Sequence, residues 1–142
     1  MHIERSYYGS KRYREGLQLS QRCADLLSCT VDDGKPRVRP FGTILLDDGK
    51  LYIQTGKVKD VSKQIAACPY VEICACMGPS WLRIQAELVE DDSREVKVKM
   101  LDKLPSLKAM YSPDDGNMQM FYLKDATATF SSFTAEPETV QF

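Results

Sequence analysis

Two Asp-Gly turns, Asp33-Gly34 and Asp48-Gly49, limit the fold of this chain more than any other feature of its sequence. Aspartate and glycine accept the positive φ angles that tight hairpin turns need, and apolar runs flank both turns. We therefore predict three successive antiparallel strands, at residues 26–31, 36–46 and 51–55. A meander of this kind is typical of a mainly β protein.

The second half of the chain predicts further strands separated by short helices. A helix over residues 60–67 ends at Cys68-Pro69, because proline cannot continue a helix and favours extended backbone before it. Residues 81–90 alternate cleanly between apolar and polar side chains, as a half-buried strand does. The other predicted elements are a strand at 71–77, a helix at 94–104 capped by Ser93, a short helix at 106–111, and strands at 118–124 and 126–133 that are either separate or one bent strand.

The chain length of 142 residues is enough for one core, so we predict a single domain over residues 1–142. A helix at about 10–23 belongs to an N-terminal segment, residues 1–24, and the tail at 134–142 is expected to be frayed or packed against a partner. Six or more antiparallel strands at this length predict a small closed or nearly closed β-barrel with flanking short helices and Greek-key-like connections. Closure would remove the exposed strand edges of an open meander.

Composition excludes several function classes. The net charge of -1 gives no overall field for recruiting nucleic acid or an anionic membrane. The sequence has neither an apolar run of membrane-spanning length nor an apolar N-terminal segment, so a cytoplasmic protein is expected. His2 is the sole histidine, which argues against a Ser-His or Cys-His pair and against a histidine-ligated metal. We expect no metal site, and a demanding reaction would need a cofactor.

Four basic residues lie close together around the second and third predicted strands. Arg37 and Arg39 are two apart on a strand and share a face, and Lys59 and Lys63 are four apart and would share a face of a helix. Guanidinium and ammonium groups beside a helix N-terminus can form a phosphate site. The alternative is a solvated basic surface.

The order and spacing of several short motifs resemble the pyridoxamine 5'-phosphate oxidase-like flavoproteins, which have an FMN-binding split β-barrel fold. The resemblance covers residues 26–123, most of the chain. The motifs that carry it are Pro36-Arg37-Val38-Arg39-Pro40-Phe41-Gly42, Asp48-Gly49-Lys50-Leu51-Tyr52, Lys63-Gln64-Ile65, Cys68-Pro69-Tyr70-Val71-Glu72-Ile73 and Trp81-Leu82-Arg83-Ile84.

This resemblance implies an FMN cofactor and a homodimer with two equivalent sites at the interface between the subunits. Tyr111 and Phe121 are candidates for the substrate side of the site. The implied cofactor-binding residues are Arg37, Arg39, Pro40, Phe41, Gly42, Gln54, Thr55, Lys59, Lys63 and Trp81.

The resemblance further implies an oxidoreductase that transfers electrons from a donor such as NAD(P)H to a small-molecule acceptor. Oxidation of vitamin B6 itself is not expected, because the basic tail of the true pyridoxamine-phosphate oxidases is absent: no basic residue follows Lys124. The alternatives are a flavin-binding or electron-carrier protein without its own substrate, and a relative that uses a deazaflavin or haem. No catalytic side chain is identified.

Overall fold

Eight strands in one antiparallel sheet form the framework of this protein, in a computed structural model that describes residues 26–142. The predicted helix at 10–23, and the N-terminal segment to which it belongs, lie outside the described residues. The strands are β1 (Leu26–Asp32), β2 (Lys35–Phe41), β3 (Leu45–Asp47), β4 (Lys50–Gly56), β5 (Tyr70–Met77), β6 (Ser80–Glu90), β7 (Met118–Ser132) and β8 (Glu138–Gln141).

Two α-helices and one 3-10 helix accompany these strands in the described part of the chain. They are α1 (Asp60–Ala67), α2 (Arg94–Lys103) and the 3-10 helix Pro105–Ala109. Helix α1 packs against β1 and β4, with Val61 and Ile65 buried in the core. Within residues 26–142, no helix has both the length and the apolar character needed to cross a membrane.

The sheet curls around a single main core without closing. Its strand order is β2-β1-β5-β6-β7-β4-β3, with β8 paired to β7 beside this path, so β2 and β3 stand at opposite ends. Side chains from six of these strands nevertheless meet in one apolar cluster, which includes Leu26, Ile53, Ile73, Ile84 and Leu123. The prediction of a mainly β, antiparallel barrel with short helices is therefore confirmed in its split form.

Both Asp-Gly turns form as predicted. Asp33 and Gly34 have φ angles of 49° and 71°, and Asp48 and Gly49 have φ angles of 45° and 72°. Two consecutive left-handed residues give the hairpin turn whose twist matches that of the flanking strands. The first turn joins β1 to β2 and the second joins β3 to β4.

The predicted strand at 36–46 is wrong in one respect, because the chain bends between Phe41 and Leu45. Phe41 and Ile44 are both buried in the main core. Residues three apart on a regular strand point to opposite faces, so both can reach one core only where the strand is interrupted. At this bend the chain crosses from β2, at one end of the sheet, to β3, at the other end.

In the C-terminal part of the chain, the predicted alternative of one bent strand is confirmed, whereas the expectation for the tail is wrong. Residues 118–132 form one strand, bent at Asp125, where a positive φ of 50° accompanies a shift in the register with β6. The tail was predicted to be frayed or packed on a partner, but it forms β8, because Val140 and Phe142 pack against the main core. Ser93 provides no side-chain cap to α2, and the second short helix is the 3-10 helix that begins at Pro105.

The hairpin of β1 and β2 presents an uncharged face to the exterior. Its register places Leu27 opposite Pro40, Cys29 opposite Val38 and Val31 opposite Pro36, and we call these six residues the outer strip. The opposite face of β1 is buried and carries Leu26, Ser28 and Thr30. Several apolar side chains of this hairpin therefore face outwards, whereas the hydroxyl side chains of Ser28 and Thr30 face inwards.

Candidate functional site

A cavity of about 420 Å³ opens where the ends of β2 and β4, the start of α1 and the 3-10 helix meet. This volume is in the range of small-molecule and cofactor sites. Its lining combines basic, hydroxyl and apolar side chains. The lining residues are Arg39, Pro40, Phe41, Gly42, Thr43, Gln54, Thr55, Lys59, Val61, Leu104, Ser106, Leu107, Met110 and Tyr111.

Arg39 brings a half-buried positive charge to this cavity. Its Nη2 donates to Thr30 Oγ1 at 2.9 Å and to Gln64 Oε1 at 2.6 Å, and its Nη1 lies 3.5 Å from the Ser28 carbonyl oxygen. Burial lowers the pKa of the guanidinium from its ordinary value, although the nearby Cys29 thiol acts in the opposite direction. All three contacts are to neutral oxygens, so among the described residues no carboxylate compensates this charge.

Lys59 and the start of α1 add further positive potential. Lys59 is the N-cap residue of the helix, in extended backbone, and no side-chain hydrogen bond caps α1. The acidic residue of the first turn, Asp60, is paired with Lys63. Its Nζ lies 5.8 Å from the centre of the Tyr111 ring. Free N–H groups and the helix dipole favour an anion at this end of a helix. Arg39, Lys59 and α1 thus form a cationic end of the cavity.

Thr55 contributes a buried hydroxyl without a partner. Thr55 is 2% exposed, and its Oγ1 is the one buried side-chain oxygen or nitrogen of the described residues that forms no hydrogen bond. An unsatisfied buried polar atom destabilises a fold by about 1–3 kcal/mol. The neighbouring Gln54 is held in place, because its side-chain amide donates to the Thr55 carbonyl at 2.8 Å. Thr55 is therefore suited to bind a hydroxyl group of a ligand.

The rest of the cavity wall is largely apolar and closely backed. Phe41, Val61, Leu104, Leu107 and Met110 contribute apolar surface. Behind the wall, a Cβ atom at Gly56 would lie 3.1 Å from the Tyr111 hydroxyl and from Asn117 Nδ2. Because this separation is tighter than ordinary contacts, glycine at this position allows β4 to lie close to Tyr111.

Comparison with solved structures identifies relatives of the whole chain. A NimC/NimA family protein from Clostridium acetobutylicum is 38% identical, and the alignment covers 100% of this chain and 99% of that chain with a TM-score of 0.87. This chain belongs to the NimC/NimA family. No protein-family model matches it, and no curated protein sequence does either.

More distantly related solved structures also share the fold of the present chain. A pyridoxamine 5'-phosphate oxidase-related, FMN-binding protein from Nostoc punctiforme is 15% identical over 94% of this chain and 98% of that chain, with a TM-score of 0.63. A haem-binding protein from Mycobacterium smegmatis is 12% identical over 87% of this chain and 57% of that chain, also with a TM-score of 0.63. The resemblance to the split-barrel family is confirmed, but the fold alone does not determine the cofactor.

The cavity of this NimC/NimA family protein brings together most of the residues predicted from the sequence. The predicted cofactor-side residues that line it are Arg39, Pro40, Phe41, Gly42, Gln54, Thr55 and Lys59. On the predicted substrate side, Tyr111 lines the cavity, whereas Phe121 is buried in the main core.

Three predicted cofactor residues lie elsewhere. Arg37 Nε is 3.4 Å from Asp32 Oδ2, and Lys63 Nζ is 3.6 Å from Asp60 Oδ1, so each of these exposed cations has a carboxylate partner. Trp81 stacks at a tilt on Phe133, with ring centres 5.2 Å apart. Their assignment to the cofactor stays a prediction that no contact in the described chain favours.

A second and larger cavity, about 610 Å³, is a groove outside β1, β5 and β6. It is lined by Glu72, Glu87 and Asp125 and by no lysine or arginine. Glu72 pairs with Arg83 at 3.6 Å, and Glu87 pairs with Lys124 at the same distance. Because its lining is acidic, the larger groove is less suited to a phosphate than the smaller cavity.

No pattern in the sequence identifies the residues that hold Arg39. Ser28 and Thr30 alternate with more apolar residues on β1, and Gln64 is one of several polar residues on α1. Their importance depends on tertiary contacts between two strands and a helix, which spacing along one element does not predict. Thr43 and Ser106 in the cavity wall were missed for the same reason.

Proposed function

We propose that this NimC/NimA family protein binds FMN in the 420 Å³ cavity and acts as an FMN-dependent oxidoreductase. The observation that carries the proposal is the cationic end of the cavity, where Arg39 has neutral hydrogen-bond partners only. A dianionic phosphate would supply the missing negative charge and accept charge-assisted hydrogen bonds.

The other lining groups fit the remaining parts of FMN. Thr55 Oγ1 offers an unused hydrogen-bonding group for the ribityl hydroxyls, next to the Gln54 amide. Phe41, Leu107 and Tyr111 offer apolar surface for the ring system. Cofactor sites combine an apolar wall with a few placed polar groups in this way. Arg39 and Lys59 would hold the phosphate.

FMN would supply hydride and electron transfer, which the side chains of the cavity do not provide. Its described lining includes no histidine, carboxylate or cysteine. The contribution of the protein is therefore to bind and orient the reactants and to exclude water. NAD(P)H is the proposed donor, and a small organic molecule is the proposed acceptor.

The haem-binding neighbour supports a second candidate, in which the cavity holds haem. Histidine and cysteine, two common axial ligands, are absent from the described lining, whereas Lys59, Met110 and Tyr111 are present. FMN is favoured because the cationic end and the unpartnered Thr55 hydroxyl suit a phosphorylated polyol.

Purification followed by absorbance spectroscopy tests the proposal. We expect flavin absorbance, release of FMN on denaturation identified by mass spectrometry, and rebinding of FMN by the apoprotein. Steady oxidation of NAD(P)H with an added acceptor would distinguish an enzyme from a flavin carrier. A Soret band would favour haem, and an apoprotein that does not bind FMN at micromolar concentration would refute the proposal.

We also propose that the protein is a homodimer that buries the outer strip. In this strip, Leu27 is 42% exposed and Val38 is 63% exposed, and no member of it is charged. An uncharged apolar surface can pack against a second copy of itself without repulsion between like charges. Pro40 belongs both to the strip and to the cavity lining, so a second copy seated here would stand beside the cavity.

The oligomeric state measured by light scattering after gel filtration tests the homodimer. We expect a dimer for the wild type and a monomer for Val38→Lys, because a buried ammonium group without a partner strongly opposes association. Leu46→Lys, on the separate strand β3, is the matched control and should leave the dimer intact. A monomeric wild type, or a dimer that survives Val38→Lys, would exclude this interface.

A further inference from the structure

Three side chains from different elements form a closed hydrogen-bonded group beside the cavity. Gln64 Oε1, on α1, accepts from Arg39 Nη2 and from Thr30 Oγ1, each at 2.6 Å. Thr30 Oγ1, on β1, also accepts from Arg39 Nη2 at 2.9 Å. Arg39 Nη2 thus has one acceptor on β1 and one on α1, and together they fix the orientation of the guanidinium.

The two acceptors of Arg39, Gln64 Oε1 and Thr30 Oγ1, are neutral, whereas other cations of the described chain pair with carboxylates. Arg37 is paired with Asp32, Arg94 with Asp114 and Lys97 with Asp92. Arg39 is instead held by a carboxamide and a hydroxyl, which orient a guanidinium without neutralising it. Its Nε–H, and one Nη1–H, have no acceptor among the described residues.

We propose that Gln64 and Thr30 are positioning residues that keep Arg39 oriented and uncompensated, so that the cavity selects a phosphorylated ligand over its unphosphorylated form. The inference rests on the proposed function in naming FMN and riboflavin as the pair to be discriminated. The inference goes beyond the proposed function because it assigns the discrimination between FMN and riboflavin to Gln64 and Thr30, which support Arg39, and not to Arg39 alone.

The decisive variant is Gln64→Glu, which has nearly the same shape as glutamine but places a carboxylate 2.6 Å from Arg39 Nη2. The new carboxylate would pair with Arg39 and compete with the ligand phosphate. Gln85→Glu makes the same chemical change at an exposed position on β6, away from Arg39, and is the matched control. Neither glutamine lines the cavity itself.

The measurement is the dissociation constant of the apoprotein for FMN and for riboflavin, from quenching of flavin fluorescence. We expect Gln64→Glu to weaken FMN binding by about 10- to 150-fold, the range for one hydrogen bond to a charged group, and to change riboflavin binding by less than about twofold. Gln85→Glu should change neither.

Equal losses of FMN and riboflavin would show that Gln64 has a merely structural role, and unchanged FMN binding would show that it has none; both results overturn the inference. If Gln64→Glu does not fold, Gln64→Leu provides the test: FMN affinity should fall selectively, and an equal loss for both flavins again overturns the inference.

Inorganic phosphate separates this inference from the proposed function. Stabilisation of the wild-type apoprotein by phosphate in thermal unfolding, lost in Gln64→Glu, would support the Arg39 group even if FMN does not bind. In that case the proposed function fails and the inference stands for another phosphorylated ligand. A wild type that responds to neither FMN nor phosphate overturns both.

Discussion

Replacing Arg39 with methionine should separate ligand binding from fold stability. Arg39 has an Nε–H and an Nη1–H left to offer a phosphate, and each such charge-assisted contact contributes about 1.5–3 kcal/mol. Losing one contact weakens FMN binding roughly 10- to 150-fold, and losing both weakens it further. Titration of the apoprotein with FMN, followed by flavin fluorescence, measures this change.

The same variant should leave the apoprotein about as stable as the wild type. The Thr30 hydroxyl still donates to Gln64 Oε1 at 2.6 Å, so loss of the guanidinium does not leave the Gln64 oxygen without a hydrogen bond. Methionine also removes a half-buried charge that no carboxylate compensates, which offsets the lost hydrogen bonds. We expect the free energy of unfolding in urea to change by less than about 1 kcal/mol.

Arg83→Met is the control, because Arg83 is an exposed cation paired with Glu72 and lies outside the cavity lining. Such exposed ion pairs contribute about 0–1 kcal/mol, and FMN affinity should not change. Two results would refute the reasoning about Arg39→Met: FMN affinity within about threefold of the wild type, or destabilisation of the apoprotein by several kcal/mol. The second result would make Arg39 a structural residue.

Three further predictions address the cavity wall and the loop behind it. Thr55→Val removes the unpartnered hydroxyl and should stabilise the apoprotein by about 1 kcal/mol in urea unfolding while weakening FMN binding; a less stable apoprotein would contradict this. Gly56→Ala should destabilise the protein by about 1–3 kcal/mol in the same assay, because its Cβ would crowd Tyr111 and Asn117. Unchanged stability would show that these two side chains shift to accommodate the added methyl group. Hydrogen bonds from the N–H groups of Met118 and Ser112 hold the pKa of Asp115 below its ordinary value, so its stabilising contribution is complete above the unfolded-state pKa and is lost as the pH falls through the lower folded-state pKa. Urea unfolding from pH 5 to pH 3 should therefore show a steeper loss of stability for the wild type than for Asp115→Asn, and parallel curves would exclude this role.

Local signals predicted much of the secondary structure correctly. The Asp-Gly pairs specify their turns through backbone preference alone, and Pro69 limits α1, whose observed bounds are those predicted. The alternation in β6 places Leu82, Ile84 and Leu88 in the core as expected. Each of these features depends on residues within one turn or one strand.

The errors arise where tertiary contacts outweigh local pattern. Alternation in β1 gives no reason to bury Ser28 and Thr30 rather than Cys29 and Val31. Ser28 and Thr30 are nevertheless buried, and the Thr30 hydroxyl accepts a hydrogen bond from Arg39. The tail becomes a strand because Val140 and Phe142 find a place on the core, which no local propensity indicates.

Only part of the candidate site was predicted, because its charged residues are visible in the sequence and its tertiary contacts are not. Arg39 and Lys59 were identified because charged residues close together are visible in a sequence. Lys63 was expected to share a helical face with Lys59, but Lys59 is the extended N-cap residue, so the spacing of four residues has no helical meaning there. Gln64 was named only within a motif and not as a site residue, since a neutral residue that orients a cation resembles any other polar residue of a surface helix.

The prolines of β2 affect how this molecule can associate. β2 is an end strand of the sheet, and Pro36 and Pro40 occupy alternate positions whose missing N–H groups would point away from β1. An incoming strand would find few donors along this border, which disfavours intermolecular β-augmentation and the open-ended fibrils that can follow from it. Copies of the protein that associate through β2 should therefore form a finite complex held by side-chain contacts, even at the high concentrations of overexpression.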